Sequence, residues 1–433
     1  MSVMKITWVN HASFVLESGP IRLLTDPWLE GTAFNDSWEL LVPSRFEMKD
    51  FDQMTHIWFS HEHPDHFAPP VLSKIPRETR KRITVLYQET RDHRVIDFCT
   101  ELGFKTRELR DGETTDLSDD FHVTCGKVPF YDSWLACEAE GLKILDFNDC
   151  IMERRKSLRN LRERFGFIDL LLAQCSYASW YGNADQPERW HKAASRMMDQ
   201  LLTEIAEVKP RFTIPCASFV RFCHAENQHM NTYINRIDNV TAKIAEQQVS
   251  VPVVLFPGEQ WTVGAAHDNG PALSLYKAAE ESHCQPRTSQ SVSLDEITSL
   301  AEQYCQRMLA KNNALLVRLA TYVHLLPQVV FHLSDIDMNL GFDWTHGLRP
   351  ISQGVHSDIT LHSDSLAYLF RFDWGMDTLL VGGRFQADKA GVRKLLRTFC
   401  LGSLNNIGRR FGPGLAIDPY FVQRAVMKVI RAR

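Results

Sequence analysis

Four residues of the kinds that bind metals lie within six positions of one another, directly after a short apolar run. They are His61, His63, Asp65 and His66. Side chains two positions apart in an extended chain point the same way, so His61 and His63 are placed to hold one cation. Pro64 then turns the chain, which lets Asp65 and His66 face a second cation. The segment predicts a strand that ends in a loop carrying a two-metal centre.

The composition restricts the class of protein. A chain of 433 residues with 44% hydrophobic content is long enough for two or three domain-sized units. The formal net charge of −5 argues against a nucleic-acid partner, and no apolar run has the length of a membrane span. Ten cysteines without a CxxC pair, and a start without signal-peptide features, lead us to expect a reduced, soluble, cytoplasmic protein.

Strand and helix patterns alternate along most of the chain, which predicts a layered α/β architecture. Residues 1–266 are expected to form the metal-binding domain. The stretch 267–294 is rich in polar residues, Gly and Pro and lacks periodicity, so we interpret it as a linker. Residues 295–433 are expected to form a smaller α+β domain, which would wall the substrate pocket or support a homodimer.

The His-x-His-x-Asp-His spacing after an apolar strand resembles the signature of the metallo-β-lactamase superfamily. The resemblance covers residues 1 to about 265. It implies a metallo-β-lactamase αββα sandwich, here followed by the smaller α+β C-terminal domain. It also implies further metal ligands downstream, which have to be sought by position.

A bridging aspartate is expected at the end of a strand, where LKILDFNDC offers Asp149, with Asp146 as the weaker candidate. The resemblance gives Asp65 and Asp149 the catalytic roles. A third histidine for the first metal is expected before that strand, and here the chain departs from the family. Asp132 stands at the matching place, and we prefer it to the nearby His122.

The last ligand implied by the resemblance is a histidine after a later strand. The segment RFTIPCASFVRFCHAENQHMN offers His224, which we favour, and His229. With His224 included, each metal would have two imidazoles and one carboxylate of its own, and would share Asp149. That donor set is typical of non-haem iron, whereas three histidines suit zinc hydrolysis better.

Three further strings narrow the resemblance. ILDFNDC (144–150), LLLAQCSYASWYGNA (170–184) and IPCASFVRFCHAEN (214–227) are similar to the branch that contains the CMP-N-acetylneuraminate hydroxylases. Diiron hydroxylases of natural-product biosynthesis in the superfamily also replace the third histidine with a carboxylate. The resemblance therefore implies a dinuclear non-haem iron oxygenase, a hydroxylase or monooxygenase. The chain has no Cys-x-His pair of a Rieske domain, so a separate electron donor, or the substrate itself, would supply electrons.

The competing hypothesis is a dinuclear zinc or manganese hydrolase of an ester, amide or phosphodiester. A third reading, a binding module that has lost its metals, is disfavoured by the intact histidine cluster. The substrate is expected to be a small molecule, free or linked to a carrier or nucleotide. Its contacts are sought among Tyr177, Trp180, Tyr181 and Asn227.

Overall fold

The computed structural model describes residues 4–128, 132–152, 154–282, 284–352 and 354–418. It divides into two compact units. The first comprises Met1–Ala178, Pro187–Cys223 and Gln228–Pro286, and the second comprises Ser179–Gln186, His224–Asn227 and Arg287–Arg433. Among the described residues, no helix is both long and apolar enough to cross a membrane.

The first unit is built on three sheets. Its strands are β1 Lys5–Asn10, β2 Ser13–Ser18, β3 Ile21–Thr25, β4 Thr32–Ala33, β5 Trp38–Leu40, β6 His56–Trp58, β7 Thr84–Gln88, β8 Lys105–Leu109, β9 Thr114–Ser118, β10 Phe121–Val128, β11 Asp132–Ala139, β12 Leu142–Asn148, β13 Leu170–Gln174, β14 Phe212–Cys216, β15 Val220–Phe222, β16 Val251–Pro252 and β17 Gln260–Thr262. The strand order is β17-β1-β2-β3-β6-β7-β8 in one sheet, β16-β14-β13-β12-β11-β10-β9 in a second, and β15-β5-β4 in a third.

The helices of the first unit are α1 Pro69–Lys74, α2 Arg77–Arg80, α3 Arg94–Glu101, α4 Arg155–Phe165, α5 Pro187–Val208, α6 Ile237–Gln247 and α7 Gly270–Glu281. Short 3-10 segments span Met48–Gln53 and Gln228–Thr232. Pro69 and Pro187 each begin a helix, where the missing N–H of proline costs no hydrogen bond.

The two seven-stranded sheets pack face to face. Trp58 and Leu86 of the first sheet share one buried cluster with Leu135 and Leu172 of the second. The outer face of the second sheet packs against α4, α5 and α6, and α3 packs on β7 and β8 of the first. Since β13 is covered on both faces and has parallel neighbours, four of its residues in a row are buried. The predicted sandwich is confirmed.

The second unit contains both helices and strands, as expected, but it begins at Arg287 and includes Ser179–Gln186 and His224–Asn227, which were expected in the metal-binding domain. Its strands are β18 Val329–Leu333, β19 Met338–Asp343, β20 Gly347–Pro350, β21 Ile359–Leu361 and β22 Gln386–Ala387, in the order β20-β19-β18-β21-β22. Its helices are α8 Leu294–Lys311, α9 Ala314–Tyr322, α10 Ser363–Arg371, α11 Gly375–Gly382, α12 Lys389–Thr398 and α13 Cys400–Asn406, with a 3-10 segment at Pro413–Ile417. Ser293 caps α8 by accepting a hydrogen bond from Glu296 N–H.

The stretch 267–294 differs from the predicted linker, because it contains α7 and the first unit continues to Pro286. Ala272 and Tyr276, four positions apart, face the core of the sandwich and are fully buried. The Tyr276 hydroxyl donates a hydrogen bond to the Leu255 carbonyl at 2.9 Å. Leu273 is only partly buried against the same core and Leu275 is exposed, so the apolar residues of this helix do not share one buried face and the sequence shows little apolar periodicity here.

Candidate metal centre

The candidate metal centre lies where strands of both large sheets end. His11 follows β1, Asp26 follows β3, and the loop that begins at Ser60 follows β6. From the opposite sheet, Asp132 begins β11 and Asp149 follows β12. Strands that run side by side place their ends at one edge of the sandwich, so residues far apart in the sequence meet there.

The first group of possible ligands contains His61, His63 and Asp149, whose ligand atoms all lie within 4.8 Å of one another. His61 Nε2 and His63 Nδ1 are 2.9 Å apart. His61 Nδ1 lies 3.6 Å from Asp149 Oδ1 and 3.7 Å from Asp132 Oδ1. Two imidazoles and two carboxylates therefore meet at the first position.

The second group contains His11, Asp65 and His66, all buried and also within 4.8 Å of one another. His11 Nε2 and His66 Nε2 each lie 3.3 Å from Asp65 Oδ2. The sequence analysis missed His11. The available signal was a histidine directly after the apolar strand ITWV-Asn10, which resembles the signal that identified His61.

Asp149 faces both groups. Its Oδ1 atom is 3.6 Å from His61 Nδ1, and its Oδ2 atom is 3.6 Å from His66 Nε2. One carboxylate oxygen toward each group is the arrangement that a bridging ligand requires. This geometry supports the bridging role predicted for Asp149.

Asp26, which the sequence analysis also missed, orients His66. Asp26 Oδ2 lies 3.0 Å from His66 Nδ1 and accepts hydrogen bonds from the Ser60 hydroxyl at 2.7 Å and from the Asn148 amide. Ser60 N–H donates to the other oxygen of Asp26 at 2.8 Å. A carboxylate that holds one ring nitrogen in this way leaves the other, His66 Nε2, to face Asp65 as a ligand atom.

Two carboxylates of the centre, Asp132 and Asp65, have shifted pKa values. Burial raises the pKa of Asp132, and the negative charge of Asp149 raises it further. Burial also acts to raise the pKa of Asp65, but His66 and His11 outweigh it and hold that pKa well below its ordinary value. Positive charge beside Asp65 therefore stabilises its ionised form.

The pKa values of two imidazoles, those of His66 and His61, are shifted in opposite directions. Burial acts to lower the pKa of His66, but Asp65, Asp149 and Asp26 together hold it well above its ordinary value. Burial lowers the pKa of His61 well below its ordinary value, and the neighbouring histidines act the same way. The acidic surroundings of His66 thus attract positive charge, which a bound cation would also provide.

The residues of the centre fit a pair of divalent cations. Four carboxylates lie around four imidazoles, and two such ions would neutralise the resulting excess of negative charge. The residues are Asp26, Asp65, Asp132, Asp149, His11, His61, His63 and His66. In the described part of the chain, several buried atoms here have no hydrogen-bond partner. They include His11 Nε2, His66 Nε2, Asp65 Oδ1 and Asp149 Oδ1. Buried polar atoms without partners are costly unless something binds them.

His224, the predicted last ligand, belongs to the second unit and is not among the residues brought together here. Its Nε2 atom lies 3.2 Å from Ser289 Oγ, and its Nδ1 atom accepts a hydrogen bond from Glu226 N–H at 3.3 Å. The buried Arg384 donates hydrogen bonds to Glu226 and Ser289 in the same network. His11 is the additional histidine of the second group, and the assignment of His224 as a ligand stays a prediction.

His122 and His229 lie elsewhere in the first unit, whereas Asp146 is buried beside the centre, where the charges of Asp26, His66 and Asp149 act on its carboxyl group. His122 forms an ion pair with Asp116 at 2.6 Å on the sheet. His229 packs its ring against Trp190 with centroids 5.5 Å apart. Asp146 accepts a hydrogen bond from the Asn148 N–H at 3.0 Å, and burial raises its pKa well above the ordinary value.

The residues predicted to contact substrate are partly or fully buried and make contacts within the protein. Tyr177 is buried in the first unit, where its hydroxyl donates to the Met230 carbonyl. In the second unit, the Trp180 ring stacks on Phe385 with centroids 4.7 Å apart. The buried Asn227 accepts from His224 N–H at 2.9 Å and donates to the Gly382 carbonyl at 2.7 Å. Tyr181 is half-buried in the second unit.

Comparisons with known proteins give a family for the N-terminal part. Residues 5–148 match the model of the beta-lactamase superfamily domain. A protein of Mycolicibacterium smegmatis, named as a Rieske 2Fe-2S iron-sulfur protein, is 28% identical over 247 residues, which are 53% of this chain and 46% of that protein. The cytidine monophosphate-N-acetylneuraminic acid hydroxylase of Danio rerio is 28% identical over 153 residues, which are 34% of this chain and 25% of the hydroxylase.

The chain therefore spans less than half the length of these relatives. Among solved structures, the metallo hydrolase Igni18 of Ignicoccus hospitalis gives a TM-score of 0.44 at 14% identity, covering 61% of this chain and 100% of that one. CmlA, a diiron β-hydroxylase of Streptomyces venezuelae, gives 0.43 at 14% identity, covering 60% of this chain and 54% of that one. Residues 5–148 are therefore similar to the beta-lactamase superfamily domain.

Proposed function

We propose that the chain is a dinuclear non-haem iron oxygenase that hydroxylates a small-molecule substrate, free or linked to a carrier or nucleotide. The observation that carries the proposal is the carboxylate of Asp132 beside His61, at a position where a third imidazole would favour zinc. When Asp149 is counted as shared and Asp132 is added beside His61, the first group offers His61, His63 and Asp132 of its own. The second group offers His11, Asp65 and His66.

This donor set suits iron. Two imidazoles and one carboxylate leave positions open for oxygen and substrate, and this is the pattern of non-haem iron oxygenases. When bound, two iron ions would supply the activation of dioxygen. The overall reaction inserts one oxygen atom into a C–H bond and reduces the other to water, which requires two electrons and two protons. We assign those electrons to a separate donor, and the relatives named as hydroxylase and Rieske protein support this assignment.

The chain's own residues have separate tasks in this proposal. Asp149 sets the spacing of the two groups, because one of its oxygens faces each of them. Asp26 fixes the ring of His66, and Asp132 adds anionic oxygen at the first position. His66 and His11 are fully buried, so their surroundings exclude bulk water.

A second candidate function is a dinuclear zinc or manganese hydrolase. Each group has two histidines and one aspartate, and such sets also bind catalytic zinc, so the donor set is compatible with this function too. In that case the metals would activate water to attack an ester, amide or phosphodiester. The two functions differ in which metal is retained and in the source of the product oxygen.

The test begins with the metal content of the full chain, purified after growth with equal iron and zinc. We expect two iron ions per chain, and we expect an Asp132→His variant to shift the preference toward zinc. A matched Asp116→Asn variant alters an exposed carboxylate outside the centre and should leave the metal content unchanged. Two zinc ions in the unmodified protein, together with anaerobic hydrolysis of p-nitrophenyl acetate or bis-p-nitrophenyl phosphate, would establish the hydrolase instead.

A further inference from the structure

Three consecutive residues at the end of β12 each reach a different part of the candidate metal centre. Asn148 adopts a left-handed backbone conformation, with φ of 57°, and its amide donates a hydrogen bond to Asp26. Asp149 faces both groups of ligands, as described above. The thiol of Cys150 lies next, with its Sγ atom 3.0 Å from Asp132 Oδ1. This thiol is not a member of either group of possible ligands.

We propose that Cys150 is a positioning residue for Asp132: its thiol donates a hydrogen bond to Oδ1 and holds the carboxylate beside His61. The inference rests on the proposed function in one respect, which is the assignment of Asp132 as a ligand. The contact between the thiol and the carboxylate does not itself involve a metal ion, so it can be tested separately.

The thiol is held firmly enough to act in this way. Cys150 is 4% exposed and packs in the hydrophobic cluster that includes Trp134 and Phe147. Its backbone N–H donates to the Phe147 carbonyl at 2.8 Å, which fixes the start of the side chain. Ser133 N–H donates to the same Asp132 oxygen at 2.8 Å. Two donors from different segments therefore limit rotation of this carboxylate.

The direction of the hydrogen bond follows from the groups that meet. The thiol carries one S–H donor and faces Asp132 Oδ1, which also accepts from Ser133 N–H. A carboxylate oxygen is the strongest acceptor available to the thiol. The thiol at position 150 thus matches the carboxylate at position 132, which is where the chain departs from the third-histidine pattern.

The first experiment measures the S–H stretching band of the metal-free full chain by infrared spectroscopy. Subtracting the spectrum of Cys150→Ala isolates the band of this thiol, and Cys175→Ala, which removes a second buried thiol of the same cluster, gives a reference band. We expect the Cys150 band at lower frequency in the unmodified protein, and a shift to higher frequency in Asp132→Asn. A band that does not respond to Asp132→Asn would overturn the proposal.

The second experiment titrates the metal-free chain with Co²⁺ and follows the visible absorption. We expect Cys150→Ala to weaken one of two binding steps by about tenfold, the lower end for loss of a residue that orients a ligand. Cys150→Ser, which keeps a donor, should restore most of the affinity, and Cys175→Ala should bind as the unmodified chain does. Equal binding by Cys150→Ala and the unmodified chain would overturn the positioning role. Binding of fewer than two Co²⁺ ions by the unmodified chain would instead count against the two-metal function, and the infrared result would still decide on the hydrogen bond.

Discussion

Replacing His11 by Ala tests the largest difference between the sequence analysis and the structure. The second group has four donors: His11, Asp65 and His66 of its own and the shared Asp149. Four-ligand zinc sites contribute roughly 10–16 kcal/mol of binding free energy, which is about 3 kcal/mol for each ligand. Loss of His11 should therefore weaken one of the two metal-binding steps by about 100-fold.

The assay is a Co²⁺ titration of the metal-free full chain with a competing chelator. We expect one step weakened in His11→Ala and both steps unchanged in the matched His224→Ala variant, because His224 hydrogen-bonds within the second unit. His11 also packs edge-on against Trp28 at 5.9 Å, so His11→Gln, which fills more of the space, is measured alongside. Circular dichroism confirms that each variant is folded.

The opposite result would refute the reasoning from geometry. If His11→Ala and His11→Gln bind two ions as tightly as the unmodified chain, and His224→Ala loses one, then His224 is the ligand. That outcome would return to the assignment made from the family resemblance.

Three further predictions concern the first and second units. Burial raises the pKa of Glu204 from 4.5 to about 7, so between these pH values the folded state holds a proton that the unfolded state has lost. The stability of the fold therefore falls as the pH rises from 4.5 through 7. Thermal unfolding of Glu204→Gln should show this loss removed, with a stabilisation of about 3 kcal/mol at about pH 8 and little effect at about pH 4.5. Asp26→Asn should weaken Co²⁺ binding by about 10-fold or more, because His66 loses the carboxylate that orients it. Gly391→Ala should destabilise the second unit by about 1–3 kcal/mol in urea unfolding, since the added carbon would lie 2.1 Å from the Asp358 carbonyl oxygen.

Each of these predictions has a matched control. Glu188→Gln removes an exposed carboxylate from the same helix and should leave the pH dependence of unfolding unchanged. Asp119→Asn removes an exposed carboxylate outside the centre and should bind Co²⁺ normally. Gly354→Ala adds a carbon with no atom within 4 Å and should cost little stability. Equal effects of a test variant and its control would contradict the corresponding prediction.

Local patterns were sufficient for many elements of the fold. The run FHVTCGKV has the apolar alternation of a strand and forms β10, and the stretch around 187–207 has helical periodicity and forms α5, Pro187–Val208. These elements have clear apolar periodicity or long buried faces. The helix α7 could not be predicted in this way, because only Ala272 and Tyr276 are buried on it. Its position depends on packing against the sandwich, which a local pattern does not encode.

The residues of the candidate site likewise divide into those that a local sequence pattern predicts and those that it does not. The segment from His61 to His66 could be predicted because its ligands are adjacent and follow one strand. Asp149 and Asp132 needed the family resemblance to place them at strand ends. His11 and Asp26 were missed because each is a single polar residue after an apolar run, a pattern that many turns share. Only the meeting of five strand ends distinguishes them.

The centre depends on the packing of the two large sheets, since neither sheet holds all of its residues. His11, Asp26 and the loop after β6 come from one sheet, whereas Asp132 and Asp149 come from the other. Two hydrogen bonds cross between the sheets at the same edge. The Ser133 hydroxyl donates to the Ser60 carbonyl at 2.6 Å, and the Asn148 amide donates to Asp26. A core substitution that shifts one sheet against the other would therefore alter the spacing of both groups without contacting either. Metal affinity thus reports on the packing of the sandwich as well as on its ligands, so variants at this site have to be compared at equal folded fraction.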